Sequence, residues 1–442
     1  MSTPSGAQAS LRGLIAGAFL CGALVGAVAA LAQGGDDLAA LKEKFRRPVA
    51  IPFPSSNPYS EAKRALGETL FHDKRLSADG STACATCHDR KKGFSDGRVT
   101  AVGVPGRALA RHTPTLWNLA WAGPVFWDGR ARSLEEQVAG PIVAPDEMAQ
   151  PMDKLVARLG TDRDYKRAFA KAFPDNPRVT EDNLKKAIAT YERTLVSPDT
   201  RFDRWIAGEA SALSAQEVDG FKLFTGKAGC VNCHSGWAFT DYAFYDIGLE
   251  SDDRGRGAVL RLEAAEYAFK TPSLREAGRR APYMHDGSLA TFEDAVRHYA
   301  GGVTERPTLP RDLTRDLTLD SGEQAVLVAF LKTLTGEGDP QPPATIVAER
   351  SAPVAAMRAT SVSQHDRTFT PTRVRIRIAD KLWILNNDTR THNIRVFDSR
   401  LDFDSGAQEP GETVEMIFPK TGSYLVFCGI HPKMELHVDV AR

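Results

Sequence analysis

The sequence has no excess of charge of either sign and few cysteines. Its 442 residues carry 56 Lys and Arg against 56 Asp and Glu, so the formal net charge at pH 7 is zero. Without a basic field to attract phosphates, nucleic-acid binding is a poor hypothesis. Only six cysteines occur, and four of them lie in two Cys-x-x-Cys pairs. Too few cysteines therefore remain for a set of disulfide bonds that would stabilise the fold.

Long hydrophobic runs are also scarce, which excludes a polytopic membrane protein, and 42% hydrophobic residues exclude a disordered chain. One uncharged run, Gly13 to Ala32, follows the single charge of Arg12 and ends in small residues. It predicts that residues 1–33 are a secretory signal, with an uncleaved membrane anchor as the alternative. We therefore expect a periplasmic protein, either soluble or tethered to the inner membrane.

The hydrophobic period changes along the chain. From Tyr59 to about Leu334, apolar residues recur at three- and four-residue spacing, which predicts helices. Residues 336–343 are rich in Gly and Pro and have no periodicity, so they predict an extended linker. Beyond them apolar and polar residues alternate, as in residues 374–378, which predicts strands. The expected fold is a mainly α region of two related domains, followed by an all-β sandwich.

Two Cys-x-x-Cys-His motifs carry the strongest chemical signal. They comprise Cys84, Cys87 and His88 in the first half and Cys230, Cys233 and His234 in the second. Two thiols one helical turn apart can reach both vinyl groups of a haem, and the adjacent imidazole can bind its iron. A zinc site or a thioredoxin-type pair is the alternative, but the adjacent His and the duplication favour two covalently bound haem c groups.

Six further segments accompany the haem motifs. They are 113–115 (Thr-Pro-Thr), 126–130 (Phe-Trp-Asp-Gly-Arg), 137–141 (Gln-Val-Ala-Gly-Pro), 146–148 (Asp-Glu-Met), 270–275 (Lys-Thr-Pro-Ser-Leu-Arg) and 281–287 (Ala-Pro-Tyr-Met-His-Asp-Gly). In this order they make residues 59–334 resemble the dihaem cytochrome c peroxidase family, which includes the MauG proteins. The resemblance implies a peroxidatic haem domain over 45–205 and an electron-transfer haem domain over 206–336.

The resemblance also implies roles for three residues around the first haem. Gln137 and Glu147 would line the pocket that receives peroxide, and Trp127 would relay electrons between the haems. A carboxylate suits this pocket, because O–O cleavage requires a proton to move from the inner oxygen to the outer one. Without the resemblance, Glu147 would be interpreted as a solvated helix-start residue and Trp127 as core.

The sequence departs from the peroxidase pattern at two iron ligands. Classical members of the family carry a His that can bind the peroxidatic iron and block it until the enzyme is reduced. In this chain Val104 occupies the position of that His, and valine cannot bind iron. His112 lies nearby in the sequence and is an alternative ligand. We therefore expect a first haem that is five-coordinate or water-bound and needs no reductive activation. At the second haem, Tyr299 replaces the Met of bacterial peroxidases, as in MauG, and a phenolate favours ferric iron. The adjacent His298 points about 100° away on a helix, so only one of the two can face the iron.

The resemblance further implies a calcium ion between the haem domains. His112 replaces its side-chain ligand and Arg280 occupies another ligand position, although the backbone carbonyls at Arg280 and Pro282 remain. Imidazole is a poor ligand for so hard a cation. The sequence therefore disfavours calcium.

The β region has a different metal pattern. Cys428, His431 and Met434 follow one another at the end of a predicted strand, and His392 lies upstream between two strands. Two His, one Cys and a Met form the ligand set of a type 1 copper site. Zinc on the same ligands, or a plain sandwich with a buried Cys, is the alternative. The region resembles the amicyanin and plastocyanin-like cupredoxins, and it would occupy residues 359–442 after a linker over 337–358.

Together these patterns predict a peroxidase that reduces hydrogen peroxide to water. An external one-electron donor, such as a small cytochrome, a cupredoxin or a quinol-linked protein, would reduce the copper, and electrons would pass through the His234 haem to the His88 haem. Tyr299 leaves open a MauG-like oxidase, in which a high-valent haem pair acts on a protein or small molecule. A third hypothesis is a non-enzymatic electron carrier with two six-coordinate haems. Family members often dimerise, so a homodimer is a further expectation.

Overall fold

The computed structural model describes residues 38–104, 106–310, 313, 317–339, 348–349, 357–358, 360–398 and 400–441. The predicted signal segment and most of the predicted linker lie outside these residues. The chain divides into two compact units, 1–46 and 47–442, and the described part of the first begins with a helix over 38–43. Within the described residues, every helix is too short or too polar to cross a bilayer.

The first half of the second unit is helical. Its helices are α1 (Glu61–Phe71), α2 (Cys84–Cys87), α3 (Leu134–Val143), α4 (Met152–Thr161), α5 (Arg163–Ala172) and α6 (Glu181–Arg193). The side chains of Ser60, Ser133 and Thr180 each cap a helix by accepting the backbone N–H three residues further on. The apolar faces of these helices bury one core, and its fully buried members include Leu70, Leu155, Phe169 and Leu184.

The second half has five helices among its described residues. They are α7 (Arg201–Ile206), α8 (Ala215–Thr225), α9 (Arg256–Leu260), α10 (Phe292–Tyr299) and α11 (Ser321–Lys332). Their core is aromatic, because the rings of Phe202, Phe221, Phe224, Phe239 and Phe330 contact one another. This core surrounds the chain that leads into and out of the second Cys-x-x-Cys-His motif.

The two halves repeat one close helix contact. A Cβ atom on Gly67 in α1 would lie 2.0 Å from the Ala187 carbonyl oxygen in α6, and one on Gly220 in α8 would lie 2.1 Å from the Val326 oxygen in α11. Only glycine permits backbones to approach this closely. In each half, the helix before the haem motif therefore packs on the last helix of that half.

Short strands fill the connections between helices. They are β1 (Ile51–Pro52), which pairs in parallel with β6 (Ala348–Glu349), and the antiparallel pairs β2 (Val102–Gly103) with β3 (Arg107–Ala108) and β4 (Phe244–Asp246) with β5 (Ala268–Lys270). The β2–β3 ribbon precedes His112 in the first half. The β4–β5 ribbon occupies a comparable place after the second haem motif.

The last part of the chain is a sandwich of two sheets. Its strands are β7 (Met357–Arg358), β8 (Ser361–His365), β9 (Thr368–Thr370), β10 (Arg373–Arg377), β11 (Lys381–Asn386), β12 (Ile394–Asp398), β13 (Leu401–Asp404), β14 (Thr413–Ile417), β15 (Gly422–Cys428) and β16 (Glu435–Ala441). One sheet has the order β13-β12-β15-β16-β10-β7 and the other β14-β11-β8-β9. Alternating residues such as Val374, Ile384, Val426 and Val438 fill the space between the sheets. The predicted fold class, a mainly α region followed by a β sandwich, is confirmed.

Candidate haem and copper centres

The histidines of the two haem motifs are held in the same way. His88 Nδ1 lies 2.9 Å from the Phe94 carbonyl oxygen, and His234 Nδ1 lies 3.0 Å from the Phe239 carbonyl oxygen. Because a carbonyl only accepts, Nδ1 carries the proton and the Nε2 lone pair is left for a metal. Burial lowers the pKa of both imidazoles, which favours the neutral form that binds iron.

Hydroxyl groups position the segments that hold these histidines. Thr115 Oγ1 donates to the Gly93 carbonyl oxygen at 2.8 Å, and Ser273 Oγ donates to the Ala238 oxygen at 2.6 Å. Each acceptor precedes the phenylalanine whose carbonyl orients the histidine. Thr115 and Ser273 end the tripeptides Thr-Pro-Thr and Thr-Pro-Ser, so the recurrence of that tripeptide was the sequence signal for this role. With two thiols and an oriented imidazole in each half, the residues fit haem c twice.

The predicted acid–base residue lies beside the first haem motif. Gln137 is half-buried on α3, and Glu147 is half-buried in the loop that follows it. Burial raises the pKa of Cys87, and the carboxylates of Asp96 and Glu147 add to the effect, so the Glu147 charge acts on the first haem motif. Burial also raises the pKa of Glu147 itself, against the opposing charge of Arg130. Within the described residues, neither Gln137 nor Glu147 has a side-chain hydrogen bond.

Val104 and His112 are the two residues considered at the position where other family members carry a His that can bind the first iron. Val104 is buried, and its backbone N–H donates to the Glu147 carbonyl oxygen at 2.8 Å. His112 is also buried, with Nδ1 2.7 Å from the Arg98 carbonyl oxygen and Nε2 3.1 Å from Ser95 Oγ. Both of its ring nitrogens are therefore used in hydrogen bonds. The alternative in which His112 binds the first iron does not fit this geometry.

Trp127 joins the two halves. Its indole Nε1 donates to the His112 carbonyl oxygen at 2.8 Å, and its own carbonyl oxygen accepts the Lys270 backbone N–H at 2.8 Å. Its buried ring lines a cavity whose other walls come from both halves, including Pro114, Trp117, Tyr242, Pro272 and Arg280. Trp127 therefore lies between the two haem-binding regions.

Two residues at the calcium position that the resemblance implies, Arg280 and His112, have other contacts in the structure. The Arg280 guanidinium is buried and donates to the carbonyl oxygens of Ser273 and Arg275, so a fixed positive charge already lies among these carbonyls. Burial lowers its pKa to about 10, which still leaves it charged at neutral pH. The nitrogens of His112 are engaged elsewhere. A divalent cation would meet repulsion here and gain few oxygen ligands.

Tyr299, in the last turn of α10, lies beside the second haem motif. Burial raises its pKa, and the thiols of Cys233 and Cys230 add to the effect, so the phenol interacts electrostatically with the motif. Its hydroxyl forms no hydrogen bond with any described residue. The neighbouring His298 is turned away, since its Nε2 lies 2.8 Å from the Ile247 carbonyl oxygen. Of the two adjacent side chains, Tyr299 is the one directed to the motif.

Three of the four predicted copper ligands converge in the β sandwich. The ligand atoms of His392, Cys428 and His431 all lie within 4.8 Å of one another, with Cys428 Sγ 3.5 Å from His392 Nδ1 and 3.6 Å from His431 Nδ1. All three are buried, as is Met434. The backbone N–H groups of Asn393 and His431 point at the sulfur from 3.4 and 3.3 Å. Such N–H groups stabilise a thiolate, so the donor set fits type 1 copper.

A carboxylate that the sequence did not single out orients one of these ligands. Asp388 Oδ2 lies 3.2 Å from His392 Nε2. Because the carboxylate accepts the Nε2 proton, Nδ1 is left to face Cys428. Asp388 lies two residues after the end of β11 and four residues before His392.

The copper-ligand loop packs against the helical region. The Gly429 carbonyl oxygen accepts a hydrogen bond from Arg256 Nη2 at 2.8 Å, and the Ile430 oxygen accepts the Phe244 backbone N–H at 3.2 Å. Only 4% of His431 is exposed. The metal-facing edge of the sandwich is thus covered by the same chain.

Known proteins resemble the helical region along most of its length. The family profile "Di-haem cytochrome c peroxidase" matches residues 61–211. The chain is 47% identical to the methylamine utilization protein MauG of Methylorubrum extorquens over 325 residues, 73% of this chain and 92% of that protein. It is 37% identical to the cytochrome c551 peroxidase of Nitrosomonas europaea over 295 residues, 65% of this chain and 84% of that protein.

A solved structure shares this fold as well. The crystal structure of a MauG-like protein associated with microbial copper homeostasis matches with a TM-score of 0.61 and 32% identity, covering 66% of this chain and 94% of that one. These relatives agree with the paired haem motifs described above. The chain therefore belongs to the dihaem cytochrome c peroxidase and MauG family and is a peroxidase-type oxidoreductase with a cupredoxin-like β domain.

Proposed function

We propose that the protein reduces hydrogen peroxide to water in the periplasm, with electrons supplied through its copper domain. The bound groups would supply an iron that can accept peroxide and metals that exchange single electrons. The observation that carries the proposal is the contact between Val104 and Glu147. It is a hydrogen bond between their backbones, so it joins the segment of a residue that cannot bind iron to the segment of a glutamate whose pKa is raised by burial. The Glu147 carboxyl group has no hydrogen-bond partner among the described residues.

Glu147 would move the proton that O–O cleavage requires. Its ionised carboxylate takes a proton from the inner peroxide oxygen and delivers it to the outer oxygen, which leaves as water. The raised pKa brings this group closer to neutral pH, where a general acid–base works best. The half-buried Gln137 amide offers both a donor and an acceptor to hold peroxide in place. In total, each peroxide consumes two electrons and two protons and yields two waters.

Electrons would pass from the copper-ligand loop to the second haem, and from there past Trp127 to the first haem. Trp127 is hydrogen-bonded to both halves, and the loop that bears Cys428 and His431 is hydrogen-bonded to the second half. The buried copper ligands prevent direct contact with a soluble donor. We therefore expect an external one-electron donor, such as a small cytochrome, to dock on another face of the sandwich.

This proposal is tested by adding one equivalent of hydrogen peroxide to the fully ferric protein without prior reduction. We expect the ferric Soret band to be lost within seconds, because Val104 cannot bind iron and both ring nitrogens of His112 are hydrogen-bonded to other groups. An excess of reduced small cytochrome should then support many turnovers. An unchanged Soret band would indicate a blocked iron and would favour a reductively activated peroxidase or an electron carrier.

A second candidate is a MauG-like oxidase that acts on a protein or small molecule. The observation that favours it is Tyr299, whose phenol replaces a Met ligand and lies beside the second haem motif. Such an enzyme would consume peroxide with few turnovers on reduced cytochrome. The turnover number with that donor therefore distinguishes the two candidates.

Tyr299→Phe should change the second haem alone. Loss of the oxygen ligand should alter its ferric absorption and electron paramagnetic resonance spectra and raise its reduction potential, because phenolate stabilises ferric iron. Tyr283→Phe is the matched control, since Tyr283 stacks on Phe292 of the same helix with 5.0 Å between ring centroids. Equal spectra for wild type and Tyr299→Phe would remove Tyr299 from the ligand set.

A further inference from the structure

One arginine of the β sandwich reaches the second haem motif. Arg367 Nη1 donates to the Asn232 carbonyl oxygen at 3.0 Å and to the Tyr245 hydroxyl at 2.7 Å, and it also bonds the Asp241 carboxylate. Asn232 is an internal residue of the Cys-x-x-Cys-His motif. Asp241 is bonded to the same loop, because its backbone N–H donates to the Cys233 carbonyl oxygen at 2.9 Å.

The other end of Arg367 is bonded to the copper site. Its backbone N–H donates to Asp388 Oδ2 at 2.8 Å, and the same oxygen lies 3.2 Å from His392 Nε2. A continuous chain of hydrogen bonds and covalent bonds therefore runs from a copper ligand, through Asp388 and Arg367, to the Asn232 carbonyl. Asn232 is followed directly by Cys233, one of the two thiols that would attach the haem.

The backbone at Arg367 is held in an unusual conformation. Asp366 and Arg367 form the two-residue loop between β8 and β9, and both have positive φ, 47° and 56°. This loop type favours Asn and Gly, and larger side chains there carry strain. The conformation aims the N–H at Asp388 while the guanidinium reaches the haem motif.

A second line of contact between the sites does not need Arg367. The His431 ring centroid lies 6.2 Å from that of Tyr245, and the Tyr245 hydroxyl donates to Asp241 Oδ2 at 2.8 Å. Arg367 bonds both Tyr245 and Asp241, so it holds these two side chains in place.

We propose that Arg367 is a positioning residue that couples the copper site to the second haem-binding loop and sets the rate of one-electron exchange between them. The inference rests on the proposed function of the copper domain. In each exchange one site is oxidised as the other is reduced, and no proton moves, because the guanidinium keeps its charge. The direction of transfer depends on the two potentials and does not affect the role of Arg367.

Pulse radiolysis of the loaded protein tests the proposal. A formate-derived radical supplies less than one electron per protein, and the relaxation that follows is read as opposite changes in the copper–thiolate and Soret bands. We expect Arg367→Gln to slow this relaxation about tenfold or more, because it removes the guanidinium bonds to Asn232, Tyr245 and Asp241 while the backbone bond to Asp388 remains. Arg367→Lys should be intermediate, since it keeps the charge but not the fork of donors. If Arg367→Gln does not bind copper, the relaxation rate of Arg367→Lys is the test.

Arg373→Gln is the matched control. It breaks an ion pair with Asp439, 3.0 Å long, on the same domain but away from the contact, and it should relax at the wild-type rate. Small-angle scattering should show an unchanged size for Arg367→Gln, because the bonds from Arg256 to Gly429 and from Phe244 to Ile430 remain.

Three results would count against these assignments. A wild-type rate in Arg367→Gln would overturn the inference and favour the His431–Tyr245 contact. Slow relaxation in an expanded molecule would also overturn it, because undocking would then explain the loss. Absence of a copper–thiolate band in the wild-type protein would overturn the proposed copper function, and the inference with it.

Discussion

Glu147→Gln is expected to slow the reaction of the ferric protein with peroxide by about 10²–10⁴-fold, the usual contribution of a positioned acid–base group. The amide keeps the shape of the side chain but cannot take up and return a proton at neutral pH. Haem loading and the ferric spectrum should stay unchanged, because Glu147 has no hydrogen bond to the described residues that hold His88. Stopped-flow loss of the Soret band measures the effect.

The pH dependence of the same reaction gives a second test of Glu147. The ionised carboxylate acts as the base, so the rate should fall as the pH falls through the pKa of Glu147. Burial raises that pKa, and the fall should therefore begin above the range of an ordinary glutamate. In Glu147→Gln this acid limb should be absent.

Glu136→Gln is the control for charge and position. Glu136 is an exposed carboxylate on α3, next to Gln137, and it bonds the Arg132 backbone N–H at 2.9 Å. Its loss should leave the rate and its pH profile unchanged. Near-normal peroxide kinetics in Glu147→Gln would remove Glu147 from the mechanism.

Cys428→Ala is expected to abolish the intense visible copper–thiolate band while both haem spectra remain. Cys428 supplies the only sulfur of the three-atom cluster with His392 and His431, and two backbone N–H groups point at it. Alanine fills the buried position without a ligand atom. Absorption spectra after addition of Cu(II) measure the result.

The catalytic consequences of Cys428→Ala should separate the two functions of the chain. The single-turnover reaction of the ferric protein with peroxide should be unchanged, since Glu147 and Gln137 are untouched. Turnover with a reduced external donor should fall, because the proposed electron route is cut. His437→Ala is the control, since His437 is an exposed residue of β16 outside the cluster. A wild-type protein that binds zinc but shows no copper band would contradict the type 1 assignment.

The sequence by itself determined the fold class and the identity of the chemical groups. The change of hydrophobic period from 3.6 to 2 distinguished the helical region from the sandwich, because each period reflects burial of one face of a local element. The haem motifs could be recognised because their ligands are adjacent in the chain. Cys428, His431 and Met434 are likewise close in sequence, so one loop carried most of the copper signal.

Only the tertiary structure decided which groups are already engaged. His112 was an alternative iron ligand in the sequence, and the structure shows its two nitrogens hydrogen-bonded to Ser95 and Arg98. Asp388 and Arg367 gave no sequence signal of function. The partners of the Arg367 guanidinium lie more than a hundred residues away, and Asp388 acquires its role only through the fold that brings Arg367 and His392 to its carboxylate. Hydrogen-bond satisfaction is a property of the packed chain, so residue type and spacing could not determine it.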